Sequence, residues 1–285
     1  MKTILLTVLF ILINFSYSFS ALQCDGTDDY ADCGNNAVFQ NGINTAFSVT
    51  AWIKPRNFTK ASTNISKYDS KDSGVMVWRF GVDTSRAHFY MPKEQVTGWD
   101  IYGLSTITKT NVWYHIAFTY IPDADKTKSF GTVYTNGIPG TKTARNYDTA
   151  TANTTYSLKF GVGTYDLGVT WVYSDVVLYD VRYFNKTLSQ NEIIDVMYNN
   201  VGITPNTVAM WKLDNTKENK YYDIPNKIGT ANFIGANIIS DMPPVVTNII
   251  GVQESKYQDV NTPMKILLSI FKFLAGTDFR EYFYV

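Results

Sequence analysis

The stretch Phe47-Ser48-Val49-Thr50-Ala51-Trp52-Ile53-Lys54-Pro55 decides the fold. Phe47, Val49, Ala51 and Ile53 share one face and Ser48, Thr50, Trp52 and Lys54 share the other, the period-two pattern of a strand with one side turned to a core. Pro55 has no amide hydrogen for a ladder bond and stops the strand. The same alternation recurs at Gly74 to Val82, at Arg86 to Met91 and at Val112 to Tyr120, each run ending in turn residues. Thr132 to Tyr134 leads into Asn136-Gly137, a pair that accepts the positive φ angles of a tight type I′ hairpin. Further strands are expected at Tyr156 to Val162 and Trp171 to Phe184.

Outward from these strands, one internal segment reads as a helix. Ser189 is an N-cap candidate, Glu192 completes a capping box three residues on, and Ile193, Ile194, Met197 and Tyr198 form an apolar stripe at helical spacing. Many short strands separated by Asn, Gly, Asp and Thr clusters imply an all-β antiparallel β-sandwich; a parallel α/β architecture lacks its helices. Composition agrees. Of 285 residues 15% are aromatic, with 20 Tyr and 17 Phe, and only 18% are charged, which suits a folded, strand-rich domain. The 25 basic and 25 acidic residues cancel, so no net charge is available to hold a polyanion such as nucleic acid.

The chain opens with Lys2, the apolar run Ile4 to Phe15 and then Ser16, Ser18 and Ser20, the pattern of a secretory signal over residues 1–20. A retained anchor is the alternative, but the run is shorter than the roughly 18 to 20 residues that span a bilayer. A body over 21–243 and a C-terminal linker and tail over 244–285 follow. In the tail, Ile266, Leu267, Ile270, Phe271 and Leu274 line one face of an amphipathic C-terminal helix that could dock on a membrane surface, a partner, its own domain or a second copy. Export would allow glycans at Asn57, Asn64, Asn153 and Asn185 and a disulfide between Cys24 and Cys33; two buried thiols are the alternative.

Three groups of residues bear on chemistry. Asp25, Asp28 and Asp29 crowd one turn and could offer hard oxygen ligands to Ca²⁺; an ordinary hairpin turn is the favoured alternative. Gly98-Trp99-Asp100-Ile101-Tyr102-Gly103 reads as a loop, and Trp99, Asp100 and Tyr102 supply the stacking ring and hydroxyl-fixing carboxylate that a sugar site needs. Trp78, Tyr165 and Trp171 are further candidates for stacking. The five glutamates, Glu94, Glu192, Glu218, Glu254 and Glu281, form no acid pair two positions apart on a strand, and neither His88 nor His115 accompanies a nucleophile in a known arrangement. The chain is therefore expected not to be an enzyme.

The ordered series Leu22 to Gly34, Phe47 to Pro55, Trp113 to Ala117, Val133 to Gly137 and Tyr179 to Ser189 resembles the laminin-G-like, concanavalin A-like jelly-roll superfamily, which includes pentraxin-like modules. The resemblance implies two curved antiparallel sheets packed face to face, with Thr207 to Phe233 closing the same sandwich. Many relatives place a metal-binding aspartate at the position of Tyr179; here Asp180 lies one residue on, hence on the opposite strand face. The superfamily hosts lectins, adhesion domains and hydrolases. The expected function is a secreted or surface-displayed, noncatalytic module that binds carbohydrate or a glycosylated surface. The alternative is a structural or adhesion component of an envelope or particle surface, self-associating through its tail.

Overall fold

The computed structural model describes residues 20–36, 39, 45–58, 62–68, 76–83, 85–93, 97–123, 129–145, 157–164, 171–198, 203–213, 220–222, 230–241 and 243–244. Residues 1–19 of the expected signal segment 1–20, the tail beyond 244, Tyr165 and Asn153 lie outside them.

The alternating stretch at the centre of the sequence is strand β3 (Phe47–Pro55), and it sits in the middle of sheet A. Sheet A runs in the order β10 (Ile138–Pro139), β9 (Ser129–Thr135), β8 (Tyr114–Ile121), β3, β15 (Asp175–Phe184), β1 (Ala21–Asp25) and β19 (Asn237–Ile239). β11 (Thr143–Arg145) pairs with β9, and β16 (Thr207–Trp211) pairs with β15. Sheet B runs β17 (Lys220–Tyr222), β18 (Thr230–Ile234), β2 (Tyr30–Asp32), β12 (Lys159–Phe160), β4 (Ser62–Tyr68), β5 (Met76–Asp83), β6 (Arg86–Lys93) and β7 (Thr97–Thr106). A separate hairpin joins β13 (Val162–Thr164) to β14 (Trp171–Tyr173). Every strand pairing is antiparallel. The strands after residue 206 join both sheets, so this region closes the sandwich as the resemblance implies.

The inner faces meet as the alternation dictates. Phe47, Val49, Ala51 and Ile53 of β3, with Ile116, Phe118 and Tyr120 of β8, pack against Trp78, Phe80 and Phe89 of sheet B. Phe47 stacks on Tyr183 at 5.9 Å and on Trp78 at 6.3 Å, so one ring ties the two layers together. Burying a ring of this size stabilises the fold by roughly 1.5–3 kcal/mol. Trp78, expected as a stacking candidate, is 1% exposed and belongs to this core.

The hairpin and helix form as the sequence requires. Asn136 (φ 49°) and Gly137 (φ 76°) make the two-residue turn between β9 and β10. Helix α1 (Gln190–Met197) starts at Ser189, whose hydroxyl accepts from the Glu192 amide while the Glu192 carboxylate accepts from the Ser189 amide. Leu188, Ile193 and Val196 lie over Ala117, Tyr134 and Phe184 on the outer face of sheet A. A side chain on Gly137 would meet Ile194 at 2.9 Å, so the turn glycine also admits the helix.

Two expectations are corrected. The segment Trp171 to Phe184 is two strands, because the Ser174 amide donates to the Gly161 carbonyl and the chain passes there from the small hairpin to sheet A. The stretch around Trp99 is strand β7, not a loop; Trp99 pairs with Met91, Asp100 with Tyr90 and Tyr102 with His88.

Cys24 and Cys33 are free, buried thiols rather than a disulfide. Cys24 lies on β1 of sheet A and Cys33 follows β2 of sheet B, so each fills the core from its own layer. Burial pushes both thiols up, that of Cys24 with help from Asp29, Asp25 and Asp175. Among the described residues no helix is long and apolar enough to cross a membrane.

Candidate functional site

The two outer faces differ in chemistry. On sheet A, α1 covers one end and a buried ionic network occupies the middle. Asp180, at φ 48° in a bulge of β15, accepts two hydrogen bonds from Arg182 at 2.8 Å each and lies 3.3 Å from Lys212. Burial pushes the Asp180 carboxyl up, but the Arg182 bonds and charge, with Lys212, outweigh it and hold the carboxyl below its usual range. His115 is buried beside this network and edge-on to Trp52 at 5.3 Å. The aspartate displaced from the Tyr179 position is thus consumed by an ion pair inside the protein.

A shallow groove of about 390 Å³ opens beside the start of α1, lined among others by Thr119, Thr132, Tyr134, Lys142, Thr187 and Glu192. Its polar groups are largely committed. Thr187 donates to the Tyr120 carbonyl, Glu192 caps the helix and pairs with Lys186, and Lys142 rests over Phe130.

Sheet B presents the opposite picture. Its cross-strand register aligns Asp32, Lys159, Ser66, Arg79, Tyr90 and Asp100 in one row across five ladders. In the neighbouring row Gly81, His88 and Tyr102 align. The core residues Ile65, Phe80, Phe89, Phe160 and Ile101 alternate with these positions, which puts the rows on the outer face. The rings there are partly open: Tyr102 is 39% exposed, and Tyr30, Tyr90, Trp171 and Tyr173 are half-buried.

The rings and cations form two clusters. In one, the Arg79 guanidinium lies 4.4 Å from the Tyr90 ring, Arg86 lies 5.3 Å from the Tyr102 ring, and Tyr102 stacks on His88 at 4.7 Å. In the other, Lys159 Nζ lies 4.4 Å from the Trp171 ring and 5.5 Å from Tyr30, which contacts Tyr173 at 6.4 Å. The β13–β14 hairpin brings Trp171 and Tyr173 here, anchored where Ser66 donates to the Val162 carbonyl at 2.7 Å. Such a surface can stack sugar rings and fix polar substituents beside them.

Of the expected ligand patch, Tyr102 takes part in this surface. Position 100 is in step with Tyr102 and position 99 with core Ile101, so the alternation of β7 divides the three residues between faces. The side chains of Trp99 and Asp100 lie outside the described residues. Tyr30, Tyr90, Lys159 and Tyr173 escaped sequence reasoning because they are distant in the chain; besides Tyr102, Trp171 was singled out by its ring.

Asp25, Asp28 and Asp29 do converge, each offering an oxygen within 4.8 Å of the others. One Asp25 oxygen accepts from the Thr27 amide at 2.8 Å and one Asp29 oxygen from the Asp25 amide at 3.0 Å, so the turn employs part of the set. Burial raises the Asp29 carboxyl. The remaining oxygens are hard donors that could hold Ca²⁺. Of the glycan acceptors, Asn185 is exposed and Asn57 half-buried, whereas Asn64 is 1% exposed and its Oδ1 accepts from the Val82 amide at 2.9 Å. A glycan on Asn64 is incompatible with this packing.

Comparison with known proteins agrees with the architecture. No curated protein matches the sequence. Among solved structures, a candidate carbohydrate-binding protein from Bacteroides ovatus superposes with a TM-score of 0.57 at 18% identity, over 81% of this chain and 62% of that one. This chain thus spans under two thirds of that protein's length. The heptameric SAP-like pentraxin of Limulus polyphemus follows at 14% identity and TM-score 0.48, over 81% of this chain and 99% of that one. The botulinum neurotoxin serotype D binding domain gives 16% and 0.45, over 65% and 44%. The family model described as concanavalin A-like lectin/glucanases superfamily matches residues 25–194, more than half of the chain. With its two packed antiparallel sheets, the chain belongs to the concanavalin A-like lectin/glucanase superfamily.

Proposed function

We propose that the chain is an exported, noncatalytic recognition module that binds carbohydrate, free or on a glycosylated surface, through the outer face of sheet B. One observation carries this reading: half-open rings, Tyr30, Tyr90, Tyr102, Trp171 and Tyr173, gather on that face while the outer face of sheet A is occupied by a helix and a buried ion pair. Aromatic faces flanked by polar groups are the chemistry by which proteins hold sugar rings. The carbohydrate-binding description of the Bacteroides ovatus protein supports the reading.

The superfamily also contains glucanases, and glycoside hydrolysis needs two carboxyl groups about 5–9.5 Å apart on either side of the bond. Among the described side chains of the ring-bearing rows, Asp32 is the carboxylate, and its Oδ1 accepts from the Gly34 amide at 2.8 Å. The apolar leader supports export.

A glycan screen of the mature protein tests the reading, run with and without calcium. Binding to a defined set of glycans, lost in Tyr90→Ala and Trp171→Ala, is expected. A screen without hits, or hits indifferent to both substitutions, would remove it.

A further inference from the structure

The zero net charge of the chain sets an expectation of no polyanion binding, but the ion pairs among the described side chains lie on the sheet A side. On the sheet A side, five cations meet carboxylates, Lys54 with Asp241, Arg56 with Asp175, Arg182 and Lys212 with Asp180, Lys186 with Glu192, while Lys142 rests over Phe130. On the outer face of sheet B, Lys159 rests on Trp171 and Tyr30, and Arg86 rests on Tyr102. Among the described side chains no carboxylate lies within ion-pair distance of Lys159 or Arg86; the side chain of Asp83, opposite Arg86 in the register, lies outside them. Asp32, opposite Lys159 in the register, is turned to the Gly34 amide.

A ring holds a cation in place without cancelling its charge, so the pairing leaves ammonium and guanidinium groups oriented and able to accept an anion. A carboxylate or sulfate on the saccharide would pair with the Lys159 ammonium and the Arg86 guanidinium, each held beside a ring.

Resting on the carbohydrate-binding reading above, we propose that this face selects acidic saccharides, polymers carrying uronate carboxylates or sulfate esters, over neutral ones. Lys159 and Arg86 provide the selecting charges, and Tyr90 and Trp171 provide the stacking surface common to both classes. Selectivity here is a difference of affinities, so charge and stacking separate experimentally.

The test titrates the full mature protein with an oligogalacturonate, a sulfated galactan, neutral galactan of matched length, and a single-stranded DNA oligomer of matched charge. The expected result is binding to at least one acidic saccharide about tenfold or more tighter than to neutral galactan and to DNA, falling as salt rises. Lys159→Gln should weaken acidic binding about tenfold and leave neutral binding within twofold. Lys109→Gln, on an exposed loop, should change neither, and an unchanged melting temperature shows that the Lys159 variant is folded. Arg86→Gln serves as the second variant if Lys159→Gln is not folded. Equal or tighter binding of neutral galactan, equal binding of DNA, or acidic binding unchanged in the charge variants overturns the proposal. Stacking variants distinguish the two levels: if Trp171→Ala abolishes neutral binding while Lys159→Gln has no effect, the face is a neutral-sugar site. If no saccharide binds at all, both readings fall.

Discussion

Asp180 and Arg182, two residues apart on β15, form a bidentate ion pair with both bonds at 2.8 Å, and the arginine is wholly buried. Residues two apart on a strand share a side, and Asp180 takes its positive φ where the register of β15 shifts. Removing one partner leaves the other charge buried, which costs about 3–5 kcal/mol. Asp180→Asn should therefore lower stability by about that amount in urea unfolding, whereas replacing both residues with apolar ones of similar size should cost much less. Because the Asp180 carboxyl is depressed in the folded protein, its contribution is present above the unfolded carboxylate pKa of about 3.9 and is lost as pH falls through the lower folded value.

His115 produces acid sensitivity in a different window. Burial lowers its pKa to about 3; Asp180 pulls it up and Arg182 pulls it down by smaller amounts. The unfolded imidazole titrates near 6.5, so the neutral folded form is undisturbed above that pH. Below it the unfolded state takes up a proton that the folded state refuses, and stability falls by about 1.4 kcal/mol per pH unit toward pH 3. The His115→Phe variant, which keeps a ring beside Trp52, should show a flatter profile between pH 6.5 and 4. An unchanged slope would mean that His115 is solvated.

Two glycines with similar positive φ should respond differently to alanine. Gly161 (φ 84°) would place a Cβ 2.4 Å from Cys24 Sγ, whereas Gly34 (φ 76°) has open space. Gly34→Ala should cost about 1 kcal/mol for backbone strain alone. Gly161→Ala adds a core collision and should cost several kcal/mol or prevent folding, as read from thermal unfolding and soluble yield.

The capping box makes a smaller, local prediction. Ser189→Ala removes the acceptor of the Glu192 amide and should lower stability by about 1 kcal/mol. Hydrogen exchange should rise in α1 and leave the amides of β3 and β8 unchanged, since the core they build is sealed by the other sheet.

Local rules made much of the fold readable. The alternation of Phe47 to Lys54, the turn at Asn136-Gly137 and the capping box at Ser189 each rest on neighbouring residues, and each stands in the structure. Sheet membership is not local. Nothing near Ser174 announces that β14 and β15 belong to different sheets, because the deciding bond reaches back to Gly161. The strand at Trp99 was hidden by Gly98, Gly103 and Asp100, residues poor in strands, which long pairing with β6 overrides. The ring and cation clusters were illegible for the same reason: Tyr30, Lys159 and Trp171 meet only after β2, β12 and the small hairpin are laid side by side.

The central claim is that sugar is held on the outer face of sheet B. Amide chemical-shift mapping of the mature protein, titrated with the strongest ligand from the glycan screen, tests it most directly. The account predicts shifts concentrated at Tyr30, Arg79, Tyr90, Tyr102, Lys159 and Trp171, with β3, β8 and α1 silent. Shifts centred on the groove beside α1, or on the turn at Asp25 to Asp29, would contradict it.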